Sequence, residues 1–184
     1  MSKRKADDIF LTEPVKSNRI SWDEFFMGVV EILTRRSMCL KYKTATVITN
    51  GTQIVSIGYN GTTEKNVECC EYWQEYWQEN IAGKTETELS YEEWKQSDEF
   101  KRLHREWSRN NEIHAESNAL KYISKADVNS GYTLYTLYSP CDLCAKEIIS
   151  YGIKTVKYLH KYPSGDDAIN KLQLHGVRCV QIIS

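Results

Sequence analysis

Apolar residues recur along this chain with two different periods, and the order of those periods predicts its elements. Ser21-Trp22-Asp23-Glu24 forms a capping box, and Phe25, Phe26, Val29, Val30 and Leu33 follow at helical spacing. Residues 44–49 and 53–59 are β-branched runs joined across Asn50-Gly51, a dipeptide that accepts the left-handed conformations of a tight turn, so two antiparallel strands are expected. From 71 to 110 the chain becomes acidic and aromatic, with Trp73, Trp77, Trp94 and Trp107, and one or two inserted helices are predicted. A regular alternation follows: helix about 112–124, strand 132–137, helix 142–151, strand 154–160, helix 165–174 and strand 177–183. Strands separated by single helices imply parallel pairing. The expected fold class is therefore α/β, with helices on both faces of a mixed sheet of about five strands, an antiparallel hairpin plus parallel strands. Residues 1–19 are polar and aperiodic and contain Pro14, so a flexible tail is expected ahead of a single domain at 20–184.

Composition narrows the function classes. The 24 Lys and Arg against 25 Asp and Glu leave a formal net charge of −1, so no overall basic field is available for a polyphosphate backbone, and a nucleic-acid partner is not expected. No stretch approaches the ~20 apolar residues that cross a bilayer. The start Met1-Ser-Lys-Arg-Lys-Ala6 lacks an apolar signal core, so no membrane partner and a cytoplasmic location are expected, with Lys3-Arg4-Lys5 a solvated basic end. In such a chain six cysteines point to metal or catalytic roles rather than to disulfides.

Two helix starts carry the chemistry. Cys141 and Cys144, after Pro140, are three residues apart, so their sulfurs face one side of a first helical turn, where the helix dipole favours thiolates. His114 and Glu116 would diverge in mid-helix, but at a helix start both can point into the cleft beyond it. His114, Cys141 and Cys144 make three N/S ligands for Zn²⁺ and leave the fourth tetrahedral position open for water, as a catalytic site requires. Glu116 is then the proton carrier between the attacking water and the group it attacks. The opposing reading, half of a structural zinc knuckle, lacks a second C-x-x-C to complete it.

The combination H-x-E…P-C-x-x-C resembles the signature of zinc-dependent cytosine deaminases. Further segments carry a more specific resemblance: Ser21-Trp-Asp-Glu-Phe-Phe-Met27, Arg36-Ser-Met-Cys39, Gly58-Tyr-Asn-Gly61, Asn111-Glu-Ile-His-Ala-Glu-Ser-Asn-Ala119, and Ser139-Pro-Cys141 through Cys144-Ala-Lys146. From Ser21 to Val180, apart from the variable stretch 71–103, the chain resembles the deoxycytidylate (dCMP) deaminases, especially their viral, allosterically regulated members, in the cytidine deaminase superfamily. The resemblance implies a three-layer α/β/α cytidine-deaminase-like fold and hydrolysis of dCMP to dUMP and ammonia, supplying dUMP for thymidylate synthesis. It also implies a homohexamer, activation by dCTP and inhibition by dTTP, with Mg²⁺ accompanying the effector. Asn60, Tyr162 and Ala115 are the substrate positions it implies, and Gly58, Tyr59, Asn60 and Gly61 the effector loop. Lys43 is added as a phosphate contact from its place at the mouth of the first strand; an ordinary exposed lysine is an equally open reading. Cys39, Cys69, His104 and Glu112 match a second, structural zinc site of some members, with Cys70 a substitute for Cys69.

Three departures bear on specificity. Thr44-Ala-Thr-Val47 replaces the family's Val-Gly-Ala-Val, Thr62-Thr63 lacks a following proline, and Asp142 stands where many members have proline. Two alternatives stay open at this point: deamination of dCTP or of another cytosine nucleotide or nucleoside, and a noncatalytic zinc-binding module that engages a partner through 71–107. Glu116 argues against the second, because zinc binding alone does not require it.

Overall fold

The computed structural model describes residues 19–84, 89–124, 131–163 and 165–183. The tail expected at 1–19 lies outside these residues except for Arg19. Helix α1 (Trp22–Leu33) begins at the expected capping box: Ser21 Oγ accepts from the Glu24 N–H at 3.2 Å, and Glu24 Oε2 accepts from the Ser21 N–H at 2.7 Å. A 3₁₀ turn (Thr34–Arg36) follows. The hairpin is β1 (Ala45–Asn50) and β2 (Gln53–Tyr59), turned by Gly51 at φ +56°. After it come β3 (Gly61–Thr62), α2 (Cys69–Asn80), α3 (Tyr91–Trp94), α4 (Asp98–Asn111), β4 (Glu112–Ile113) and α5 (Ala115–Leu120). The rest is β5 (Thr133–Tyr138), α6 (Asp142–Ser150), β6 (Thr155–His160), α7 (Gly165–Leu174) and β7 (Arg178–Gln181).

The five-stranded sheet runs β2-β1-β5-β6-β7, with β1 antiparallel to both β2 and β5, and β5, β6 and β7 parallel, as the alternation of elements implied. One face carries α5, α6 and α7 over a core of Ile48, Leu120, Leu134, Ile148, Val156 and Leu172. The other carries α1, whose Phe26, Met27 and Val30 pack on Ala45, Val47 and Tyr135. Burying a side chain such as Phe26 contributes about 1.5–3 kcal/mol relative to leaving it in water. Helices thus cover both faces and give the three layers.

The differences from expectation have local causes. The expected helix at 112–124 is shorter because Glu112–Ile113 pairs antiparallel with Gly61–Thr62, which keeps that stretch extended until His114. Among the described residues the insertion holds three helices, because Ser90 and Ser97 each cap a new start, their hydroxyls accepting from the Glu93 and Phe100 N–H groups. These helices bury a core of their own around Trp73, Trp94, Phe100, Cys39 and Cys69. The tryptophans of this segment are therefore mainly core, with Trp73 and Trp94 fully buried. No described helix is long and apolar enough to cross a membrane.

Candidate metal centre

Both functional helix starts are built the same way. Cys141 is the N-cap of α6 and His114 the N-cap of α5, each in extended conformation (ψ 173° and 153°). An N-cap residue is outside the helical ladder, so its side chain can turn back over the first turn while the helix sets the residues that follow. His114 Nδ1 lies 3.2 Å from Cys144 Sγ and 3.4 Å from Cys141 Sγ, and the three ligand atoms lie within 4.8 Å of one another. Tetrahedral zinc, with bonds of about 2.3 Å to sulfur and about 2.0 Å to nitrogen, spaces such ligands about 3.5 Å apart. The donor set and its spacing fit that ion.

Charge in this group is already shared. The Cys144 thiol beside it holds Cys141 far below the usual thiol value, to about 3, against burial and with help from His114. Cys144 is pushed up, first by that same contact and then by its burial. The hydrogen bond to Cys141 raises His114 to about 9, against burial and with the Glu116 charge assisting. Glu116 is buried in the first turn of α5, and burial raises its carboxyl above the ordinary carboxylate value.

A second cluster lies where α2 and α4 meet the segment after α1. Cys69 Sγ is 3.3 Å and Cys39 Sγ 3.7 Å from His104 Nε2, and Glu112 completes a group whose ligand atoms lie within 4.8 Å of one another. Ser108 Oγ donates to Glu112 Oε2 at 2.6 Å, while Glu112 Oε1 is buried with no hydrogen-bond partner among the described residues, an acceptor that a cation would satisfy. Burial and then the Cys39 charge push the Glu112 carboxyl up to about 7. Cys69, not Cys70, joins this group.

Around the first cluster the Gly58-Tyr59-Asn60-Gly61 loop is fastened on both sides. Gly58 is buried against α5: a Cβ there would lie 2.3 Å from the Ala115 carbonyl oxygen and 2.5 Å from the Ala119 nitrogen. Asn60 is buried, its Nδ2 donating to the Tyr42 carbonyl and its Oδ1 accepting from the Thr44 N–H, both at 2.9 Å. One amide N–H and one lone pair remain for a ligand. Gly61 pairs with Ile113, next to His114. Tyr162 is half-buried, its ring centroid 5.9 Å from that of Tyr42, and Ala115 is buried beside Glu116. Lys43 is exposed, with no ion pair among the described residues.

Two participants were not read from the sequence. Tyr42, in a loop with no periodicity to mark it, packs on both Tyr162 and Tyr138. Ser139 is buried, and its Oγ accepts the Tyr162 N–H at 2.9 Å; its place directly before Pro140-Cys141 was the available signal.

Known proteins bear on this arrangement. Residues 20–160 match the cytidine and deoxycytidylate deaminase zinc-binding region. The chain is 33% identical over 158 residues to the deoxycytidylate deaminase of Enterobacteria phage T4, covering 78% of this chain and 82% of that one. It is 29% identical over 165 residues to the deoxycytidylate deaminase of Schizosaccharomyces pombe, covering 90% of this chain and 45% of that one. Among solved structures, the dCMP deaminase of cyanophage S-TIM5 in complex with dCMP and dUMP superposes with a TM-score of 0.60 at 25% identity, over 87% of this chain and 96% of that one. The matched stretch contains His114, Glu116, Cys141 and Cys144 together, and on that match this chain belongs to the cytidine and deoxycytidylate deaminase family.

Proposed function

We propose that this protein hydrolyses dCMP to dUMP and ammonia at the centre formed by His114, Cys141, Cys144 and Glu116. The observation that carries the reading is a histidine nitrogen 3.2 and 3.4 Å from two thiol sulfurs, with a buried carboxyl two residues along the same helix start. Support comes from the family match and from the relatives named for this activity. Zinc held by the three ligands supplies, when bound, a water activated for attack near neutral pH. Glu116 takes a proton as the water oxygen bonds to C4 of the cytosine and delivers it to N3. The same carboxylate then takes the proton of the new C4 hydroxyl and passes it to the exocyclic amine, the C4–N bond breaks as the C4–O bond becomes a carbonyl, and ammonia leaves. Nothing is oxidised or reduced, and Glu116 ends as it began. Burial serves this role by keeping bulk water from the carboxyl.

In this reading Asn60, Tyr162, Lys43 and Ala115 contact the substrate, and Cys39, Cys69, His104 and Glu112 hold a second, structural zinc. The orphan Glu112 oxygen supports that ion. The reading extends to a cytoplasmic homohexamer that supplies dUMP for thymidylate synthesis, with dCTP activating and dTTP inhibiting at the Gly58–Gly61 loop, Mg²⁺ accompanying the effector. The deciding experiment is ammonia release by zinc-loaded protein from dCMP, dCTP and deoxycytidine, each with and without added dCTP or dTTP. Turnover of dCMP that rises with dCTP bears the proposal out; turnover of deoxycytidine or dCTP alone keeps the chemistry and replaces the substrate.

A further inference from the structure

The segment between the 3₁₀ turn and β1 has no regular structure, yet one of its residues meets three distant parts of the chain. The Tyr42 carbonyl accepts from Asn60 Nδ2 at 2.9 Å, in the loop after β2. Its ring meets that of Tyr138, at the end of β5 ahead of Cys141, with centroids 5.8 Å apart and planes at 86°. The same ring meets that of Tyr162, in the loop after β6, at 5.9 Å and 64°. Both pairs have the edge-to-face geometry in which the positive rim of one ring faces the negative face of the other.

Tyr42 is itself held from both sides. Cys39 Sγ, earlier in the segment, approaches His104 Nε2 of α4 at 3.7 Å. Thr44, at its end, gives its N–H to Asn60 Oδ1 at 2.9 Å and accepts the Asn60 N–H at 3.1 Å. The course of the segment is therefore fixed where it passes the pocket.

The two candidate substrate side chains depend on it. Both hydrogen bonds of the Asn60 amide run to Tyr42 and Thr44. The bond from the Tyr162 N–H to Ser139 Oγ fixes the backbone of Tyr162 but not its ring. Among the described residues the Tyr162 hydroxyl makes no hydrogen bond, and Tyr42 is the one aromatic ring packed against Tyr162.

We infer that Tyr42 is a positioning residue for the deamination, holding Asn60 and the Tyr162 ring in the attitude in which they meet the substrate. The inference rests on the proposed roles of Asn60 and Tyr162. Tyr42 acts through these two side chains rather than on the reacting atoms, so its loss falls on KM more than on kcat. Its contacts with Asn60, Tyr138 and Tyr162 run through carbonyl and ring, so the hydroxyl is dispensable.

The test compares the wild type with Tyr42→Phe and Tyr42→Ala, with Tyr42→Leu standing in where the alanine variant does not fold. Kinetics on dCMP are measured beside hydrogen exchange of the backbone amides. Tyr42→Ala should raise KM about tenfold and leave kcat within about twofold, the loss of two aromatic pairs being felt in binding. Tyr42→Phe should match the wild type in both. Exchange should quicken at the amides of Thr44, Asn60 and Tyr162 in the alanine variant alone, while β6 and α6 keep their protection. An alanine variant with wild-type KM and exchange overturns the inference. Exchange that rises evenly along the chain, with kcat and KM impaired together, also overturns it and leaves Tyr42 a packing residue only. A phenylalanine variant as impaired as the alanine one overturns it too, since the hydroxyl would then carry the role. If the wild type deaminates no cytosine nucleotide, the proposed function falls but the exchange is still read. Quickening confined to the loops of Asn60 and Tyr162 then upholds the positioning, and unchanged exchange overturns it.

Discussion

Ser139 Oγ accepts the backbone N–H of Tyr162 at 2.9 Å, which ties the turn before the Cys141 helix to the loop that carries a candidate substrate tyrosine. Gly165 makes room for this bond, since a Cβ there would lie 2.3 Å from Ser139 Oγ. Removing the buried hydroxyl leaves the Tyr162 N–H without its acceptor, at a cost of about 1 kcal/mol. Ser139→Ala is expected to raise KM for dCMP several-fold with zinc content unchanged. Gly165→Ala should lower the melting temperature as well, because the added methyl must displace the Ser139 side chain. Steady-state kinetics and thermal melting, paired with metal analysis, check both.

Glu116→Gln keeps the size and burial of the side chain but removes the acid and base. Zinc content should stay at the wild-type level while kcat for dCMP falls by about 10²–10⁴-fold. Retained turnover in the glutamine variant takes the proton-carrying role from Glu116.

How much of this was legible beforehand divides along physical lines. The capping box at Ser21, the Asn50-Gly51 turn and the strand-helix alternation after 132 are local signals, so α1, the hairpin and the parallel strands were readable at nearly their observed bounds. The pairing of Gly61–Thr62 with Glu112–Ile113 joins segments some fifty residues apart through two-residue strands, and no local pattern announces it. The grouping of His114, Cys141 and Cys144 was readable because ligand types and helix starts coincide in the sequence. The buried bonds of Asn60 were not, because its partners are the backbone of Tyr42 and Thr44, and backbone groups leave no trace in residue identity.

The second cluster gives a metal-counting prediction. His104→Ala removes the nitrogen that both Cys39 and Cys69 approach and leaves Glu112 with a buried, unsatisfied oxygen. Bound zinc should fall from two ions to one per chain, and the melting temperature should drop, while Glu116 and the His114 ligand set stay intact. A wild type that binds a single zinc removes the structural ion and reduces the cluster to buried thiols.

Asp23 gives a pH dependence with a definite sign. Burial alone would raise its carboxyl, but hydrogen bonds from Lys157 and Tyr135, and the Lys157 charge, outweigh it and hold the group below its ordinary 3.8. A carboxyl depressed in the folded state contributes stability that is complete above its unfolded value and is lost as pH falls through the folded one. The contribution is modest because Asp23 is 40% exposed. The difference in melting temperature between wild type and Asp23→Asn should be constant at neutral pH and shrink below about 3.8. A difference that is flat across that range means the ion pair adds nothing to the anchoring of α1.

Gly58 separates a packing role from an effector role in the same loop. The missing side chain lets β2 lie directly on α5, where Ser56 Oγ also donates to the Ala119 carbonyl at 2.6 Å and Asn118 Nδ2 to the Tyr59 carbonyl at 2.9 Å. A methyl at Gly58 meets backbone rather than a yielding side chain, so strand and helix must separate, at a cost of about 1–3 kcal/mol. Because α5 carries Glu116 in its first turn, the shift also moves the proposed proton carrier relative to His114 and Cys141. Gly58→Ala is therefore expected to lose melting temperature and kcat together, with or without dCTP. A stable Gly58→Ala protein that keeps basal turnover and loses only its response to dCTP would place the effector nucleotide on Gly58 and make the close packing incidental.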